Sequence, residues 1–291
     1  MDSLNNIKRI IIIAGPARSG TSILGKILGS CKKTEYWYEP EIINYIFNMY
    51  GKISKEIWKK LFERYLLGNL LNLVTGRSIN LRKGENSSIR SYKTESEIKE
   101  KHKFNLPGTK LQDYLKKNEI NFVIKSPSIE LSKYSENNSK IKIINTKRNH
   151  FEIINSIIKK KWFRNKNYLK LFWPAIKINN AMYPYWMKKK YVKFWSKANE
   201  STKSAIYLLC SYDELAKTKN LIHLNYSDLI NKPNKSIKIL LRKLGLKPTN
   251  KTKEILSSIK KPVSQLYFNE NKIISNIDPI ILKKIINFKF N

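Results

Sequence analysis

An α/β fold with a central parallel sheet flanked by helices is what this sequence predicts, on three observations. Short apolar runs without alternation, of which Ile10-Ile11-Ile12-Ile13-Ala14 is the plainest, read as strands buried on both faces. Segments with apolar residues at helical spacing alternate with those runs, which is the signature of a parallel sheet covered by helices. The first run also passes directly into a turn with two glycines, Gly15-Pro16-Ala17-Arg18-Ser19-Gly20-Thr21-Ser22, and then into a helix built on Ile23, Leu24, Ile27 and Leu28.

Taken in order, the first strand covers Lys8 to Ala14, and residues from about Glu41 to Leu73 read as helical. Residues 75–107 mix Gly, Ser, Asn and charge with weak periodicity and read as a surface insertion. Asn121 to Lys125 is a second strand stopped by Ser126-Pro127; Ile141 to Thr146 is a third that runs into Lys147-Arg148. From about Phe151 to Lys161, Ile153, Ile154, Ile157 and Ile158 mark a helix. Residues 162–195 hold eleven aromatics, four of the six tryptophans among them, interleaved with lysine, and read as an aromatic-rich helical subdomain. Such rings either pack on one another or wall a cleft. A fourth strand, Leu221 to Asn225, ends at Tyr226, and Asn234 to Leu244 forms a helix closed by Gly245. In sheets of this kind ligands bind beyond the carboxyl ends of the strands.

The length of 291 residues makes a single domain over 1–291 the simplest division. A hydrophobic share of 41% supplies enough apolar surface for a core and excludes a disordered chain. The formal net charge is +35, so the molecule gathers anions; only nine of the 57 cations are arginine, and the abundance of lysine, isoleucine and asparagine points to coding bias as one source of the excess. Cys31 and Cys210 stand far apart and fit buried, reduced thiols in a cytoplasmic setting. The longest early apolar run, five residues, falls short of a signal peptide or a membrane span. Nothing in the chain sets an oligomeric state.

A loop between strand and helix offers unpaired N–H groups at the positive end of a helix dipole and suits a phosphate. The spacing of Gly15 and Gly20 fits the nucleoside-triphosphatase pattern, but Thr21 occupies the place of its lysine, and no later strand ends in an aspartate to organise Mg²⁺. A kinase is therefore disfavoured. The segment Ala17-Arg18-Ser19-Gly20-Thr21-Ser22 instead resembles the 5′-phosphosulfate loop of sulfotransferases that use 3′-phosphoadenosine-5′-phosphosulfate (PAPS), with the family's proline displaced to Pro16. Arg148, at the end of a strand, with Ser156 eight positions on, resembles the same family's 3′-phosphate grip. Asn225-Tyr226-Ser227-Asp228-Leu229 and Leu240 to Leu246 are similar to two later family segments, although Ser227 departs from the usual glutamate. The matches span about residues 8–246.

The resemblance implies a P-loop NTPase-like sulfotransferase fold and a PAPS sulfuryl donor used without a metal. It places Arg18, Ser19, Gly20, Thr21, Ser22, Arg148, Ser156 and Tyr226 at the nucleotide. Arg18 and Lys125 are the candidate cations at the leaving oxygen. The histidine that cytosolic relatives carry two residues beyond such a lysine is Pro127 here. The candidate base is Glu39, beside Tyr36, Trp37 and Tyr38, which resembles the glutamate of tyrosylprotein and carbohydrate relatives; Glu41 is the fallback, and Ser264 resembles a late serine at the sulfuryl end. Residues 162–195 fall on the acceptor side. The expected acceptor is a hydroxyl or amine, with carbohydrate or glycoconjugate preferred over a phenol or peptide tyrosine. The competing reading, a basic nucleic-acid-binding protein, rests on the charge and the lysine-interleaved aromatics; scarce arginine and the lack of any RNA- or DNA-binding motif disfavour it.

Overall fold

The computed structural model describes residues 3–104, 108–126, 140–164, 175–260 and 268–288. Its strands are β1 (Arg9–Ala14), β2 (Thr34–Tyr38), β3 (Asn121–Lys125), β4 (Ile141–Lys147), β5 (Ala175–Ile178), β6 (Ala181–Pro184) and β7 (Leu221–Asn225). Five of them form one sheet in the order β2-β3-β1-β4-β7, every neighbouring pair parallel. The helices are α1 (Thr21–Gly29), α2 (Glu41–Asn48), α3 (Lys55–Val74), α4 (Glu95–Lys103), α5 (Gly108–Asn118), α6 (His150–Lys159), α7 (Lys189–Trp195), α8 (Glu200–Leu215), α9 (Tyr226–Asn231), α10 (Pro233–Leu244), α11 (Asn250–Ser257), α12 (Glu270–Ile274) and α13 (Pro279–Ile286).

The unbroken isoleucine run of β1 is explained by burial on both faces. Ile10, Ile12 and Ala14 join one apolar core, with Phe122 and Ile124 of β3 and Ile143 of β4. Ile11 and Ile13 join a second, with Val123 and Ile144, under α1 and α10. Side chains alternate across a strand, so a sheet covered on both sides needs apolar residues at consecutive positions. The four strands expected from sequence are present. β2 was missed: its run Thr-Glu-Tyr-Trp-Tyr lies at the sheet edge, where only Thr34 and Tyr36 are fully buried, so no apolar run announces it.

Two expectations need correction. Residues 162–195 are not simply helical: among the described residues they contain the β5–β6 hairpin and the short helix α7. Asn179 and Asn180 have φ of +47° and +61°, the left-handed pair that closes a two-residue hairpin. Phe163, Trp186, Trp195 and Tyr207 interlock edge to face, with ring centroids 5.1 to 6.2 Å apart, and are buried, so these rings pack on one another rather than face a cleft. Residues 75–107 are likewise more than a surface loop. Thr94 and Glu97 form a capping box that starts α4, and Ile89, Tyr92 and Ile98 enter the second core. Lys101 reaches back to Glu35 of β2 at 2.5 Å, with both side chains nearly buried. No helix among the described residues is long and apolar enough to cross a membrane.

Candidate active site

The carboxyl ends of the five strands bring the sequence-predicted residues to one edge of the sheet. β1 ends at Ala14 and leads into the glycine loop; β2 ends at Tyr38 and leads to Glu39; β3 ends on Lys125 itself. β4 leads to Arg148 and β7 to Tyr226. Register aligns them: Tyr38 pairs with Lys125, and Lys125 with Ile13.

The loop is wound by residues in the left-handed region: Gly15 at φ +113°, Arg18 at +72° and Gly20 at +100°. Its hydrogen bonds fix the shape. Ser19 Oγ donates to Pro16 O at 2.6 Å, so its 2.5 Å contact with Thr146 Oγ1 is one in which Thr146 donates. Ser19 is fully buried, and its hydroxyl holds the loop to β4. From beneath, Tyr207 Oη accepts the N–H of Ala17 at 2.8 Å, which ties the buried aromatic group to the loop. Thr21 opens α1 and is buried, and the first amides of that helix lie beside Gly20. A Cβ on Gly20 would run into the Tyr226 ring, and the backbone there disfavours any side chain. Gly20→Ala is expected to lower stability by more than about 1 kcal/mol. Chemical denaturation checks this, and an unchanged midpoint would show that Tyr226 yields easily.

One end of the loop carries a cluster of cations. Arg18 Nε donates to Ser156 Oγ at 3.0 Å, and Arg148 Nη1 donates to the Arg18 carbonyl at 2.8 Å. Arg148, nearly buried, also pairs through Nε with Glu152 Oε2 at 2.8 Å and lies over the Tyr226 ring, its Cζ 4.4 Å from the centroid. Burial raises the Tyr226 hydroxyl's pKa, partly offset by Arg148. Glu152 and Tyr226 thus orient the guanidinium. Glu152 was not singled out from sequence, although its place four residues after Arg148, one helical turn on, is the available signal. Asn149 caps α6, accepting from the amides of Phe151 and Glu152, and so sets Ser156 two turns along.

The other end carries Lys125. Its Nζ donates to Ser22 Oγ at 2.9 Å, forms an ion pair with Glu39, and stands 4.3 Å from the Tyr38 ring centroid. Glu39 has φ +43°, and its N–H is bonded to Lys125 O at 3.1 Å, so the ladder continues one residue past β2 and turns the carboxylate to the lysine. Lys26 adds a second ammonium nearby, its pKa lowered by burial and then by the charge of Lys125. His150 and His223, both lowered by burial, contact Tyr212 and Asn145 respectively and stay outside this cluster. Ser264 and Pro127 lie outside the described residues. Among the described residues no group of three His, Cys, Asp or Glu side chains is placed to hold a metal.

The arrangement suits a ligand with an anion at each end, gripped by guanidinium groups at one and by an ammonium, a hydroxyl and helix amides at the other, with a carboxylate beside the second. Several solved structures resemble the chain, three of which follow. The sulfotransferase domain of the Synechococcus PCC 7002 olefin synthase shares 14% identity over 97% of this chain and 88% of its own, with a TM-score of 0.44. The sulfotransferase domain from the curacin biosynthetic pathway shares 14% over 97% and 93%, at 0.47. Sulfotransferase STF9 of Mycobacterium avium shares 10% over 98% and 78%, at 0.47. No curated protein matches the chain significantly. The family model for the sulfotransferase domain matches residues 8–278, from the approach to β1 as far as the cap of α13. With nearly its whole length so matched, the chain belongs to the sulfotransferase family and is a sulfotransferase enzyme.

Proposed function

We propose that residues 1–291 act as one catalytic domain that moves the sulfuryl group of PAPS to a hydroxyl or amine of an acceptor, of which a carbohydrate or glycoconjugate hydroxyl is the preferred kind. The observation that carries this reading is the bond from Arg18 Nε to Ser156 Oγ, beside Arg148 and Tyr226, at the loop whose far end meets Lys125 and Glu39. Residues eight apart in sequence and a loop more than a hundred residues earlier converge as a 3′-phosphate grip requires.

In this reading Arg148 and Ser156 bind the ribose 3′-phosphate, Arg18 bridges toward them, and the backbone of Gly20, Thr21 and Ser22 receives the 5′-phosphosulfate, with Ser19 shaping the loop. Lys125 neutralises charge that develops on the oxygen bridging sulfur and phosphorus. Glu39 takes the acceptor's proton as the acceptor oxygen bonds to sulfur and the bridging S–O bond breaks. That bond's electron pair leaves with adenosine 3′,5′-bisphosphate. Ser264 is assigned to the sulfuryl end on the resemblance alone. Positioning and charge supply most of such a rate enhancement, as in phosphoryl transfer.

Because Thr21 replaces the lysine of nucleoside triphosphatases and the grip uses side-chain cations, bisphosphate binding should not depend on magnesium. Calorimetry with adenosine 3′,5′-bisphosphate in EDTA and in excess Mg²⁺ is expected to give dissociation constants equal within about twofold. A tenfold weakening in EDTA, about 1.4 kcal/mol, would overturn the metal-free assignment.

A further inference from the structure

At the end of the sheet opposite the candidate active site, three turns bring cations to one small cavity. Arg9 opens β1, Thr34 opens β2 and Asn121 opens β3, and the three stand side by side in register. Lys8 and Lys33, one residue outside that row, line a cavity of about 210 Å³ with Lys32, Glu119, Asn121 and Lys247. Backbone bonds tie the turns together. Lys32 N–H donates to Lys247 O at 2.9 Å and Asn121 N–H to Lys33 O at 2.8 Å, while Arg9 Nη1 donates to Gly245 O at 3.2 Å. The wall holds four ammonium groups and one carboxylate, and Glu119 is already paired with Lys8 at 2.7 Å. Lys8, by its hydrogen bond and its charge, holds the Glu119 carboxyl below its ordinary value, with smaller contributions from Lys33 and Arg9, so these cations share one field.

Charge alone would make this one more basic patch on a chain with 57 cations. Asn121 sets it apart. That residue is 5% exposed, its Nδ2 donates to Lys33 O at 3.2 Å, and its Oδ1 has no donor among the described residues. A buried amide oxygen without a donor is costly, so a wall that holds one among ammonium groups is matched by a ligand that brings negative charge and a hydroxyl together. Hydrogen phosphate does so, as does a phosphomonoester with a hydroxyl on its body; sulfate, of the same size and charge, has no proton to give. The cavity is smaller than the roughly 300 Å³ at which pockets for drug-sized ligands begin, which suits one such group. We infer that the amino ends of β1, β2 and β3 form a second anion site, which takes a phosphate group, free or carried on a small ester. A strand advances about 3.3 Å per residue, so this site lies roughly 15 Å from the carboxyl ends, and both can be filled at once.

The test gives the full chain one equivalent of adenosine 3′,5′-bisphosphate and follows amide hydrogen exchange in titrations with inorganic phosphate, sulfate and D-glucose 6-phosphate at constant ionic strength. Phosphate is expected to slow exchange together in the three turns, around Lys32-Lys33, Asn121 and Lys247, and to bind at least about fivefold more tightly than sulfate, the gain that one hydrogen bond to the buried amide supplies. Tighter binding of glucose 6-phosphate than of phosphate would identify the ligand as a monoester; equal or weaker binding would identify it as the free ion. The double variant Lys33→Gln/Lys247→Gln is expected to lose the protection while binding the bisphosphate as before, which also shows that it is folded. Equal affinity for phosphate and sulfate, which is what a plain basic surface gives, would overturn the inference. So would the absence of protection in these turns, or protection that survives in the double variant. Failure of the bisphosphate to bind, with phosphate protection of the turns intact, would instead remove the sulfuryl-transfer reading and leave this site standing.

Discussion

Arg148→Ala is expected to weaken adenosine 3′,5′-bisphosphate binding by about a hundredfold or more. Hydrogen bonds to charged groups contribute about 1.5–3 kcal/mol each, and a guanidinium that presents two to one phosphate is worth about 3 kcal/mol or more, which is two decades in affinity. The site gives reason for the high end. Arg148 is nearly buried, its Nε is taken by Glu152 and one Nη1 proton by the Arg18 carbonyl, so its remaining donors are held in one direction. Removal also leaves the Glu152 carboxylate facing the incoming phosphate. Arg148→Lys keeps a charge but loses the planar fork over Tyr226 and should recover only part of the loss. Calorimetry measures both, with adenosine 5′-monophosphate as the control: lacking the 3′-phosphate, it should bind wild type and Arg148→Ala alike. If the bisphosphate binds the alanine variant with wild-type affinity, the grip lies elsewhere.

Glu39→Gln should lower kcat by about 10²- to 10⁴-fold, the range that a positioned general base contributes, while bisphosphate affinity stays within about twofold. Glutamine keeps the shape and removes the proton acceptor. The ion pair with Lys125 is lost as well, so turnover alone would not separate a base from a residue that merely holds the lysine. The pH profile does. As pH falls, a carboxylate base is protonated and the rate drops; that acidic limb of kcat/KM should disappear in Glu39→Gln and persist, at lower rate, in Lys125→Met. A glutamine variant with a wild-type acidic limb would move the role of base to another group.

The strands that carry the site were legible because each is short, largely apolar and stopped by a glycine or a polar residue: Ala14 before Gly15, Lys125 before Ser126, Thr146 before Lys147-Arg148, Asn225 before Tyr226. The edge strand that delivers Glu39 was not legible. β2 is half exposed and aromatic, so neither a buried run nor a clean alternation marks it. The hairpin within 162–195 hid for a different reason: its signal is the pair Asn179-Asn180, a turn that works through backbone conformation and leaves no apolar pattern. Ser19 shows the limit for side chains. A serine in a phosphate loop reads as a ligand contact, and nothing local reveals that its hydroxyl bonds to Thr146, 127 residues away.

By itself the sequence determined what is local: an unbroken isoleucine strand, a loop whose glycines permit left-handed backbone, and an arginine just before a helix with a serine eight positions on, two turns into it. Tertiary structure decided which of these parts face one another. Placing β3 between β1 and β2 sets Lys125 against Ser22 and Glu39, partners 103 and 86 residues away. The reason is register. Side chains alternate across a strand, so the pairing of Tyr38 with Lys125 and of Lys125 with Ile13 fixes which face the ammonium takes, and a slip of one residue would turn it away from the loop.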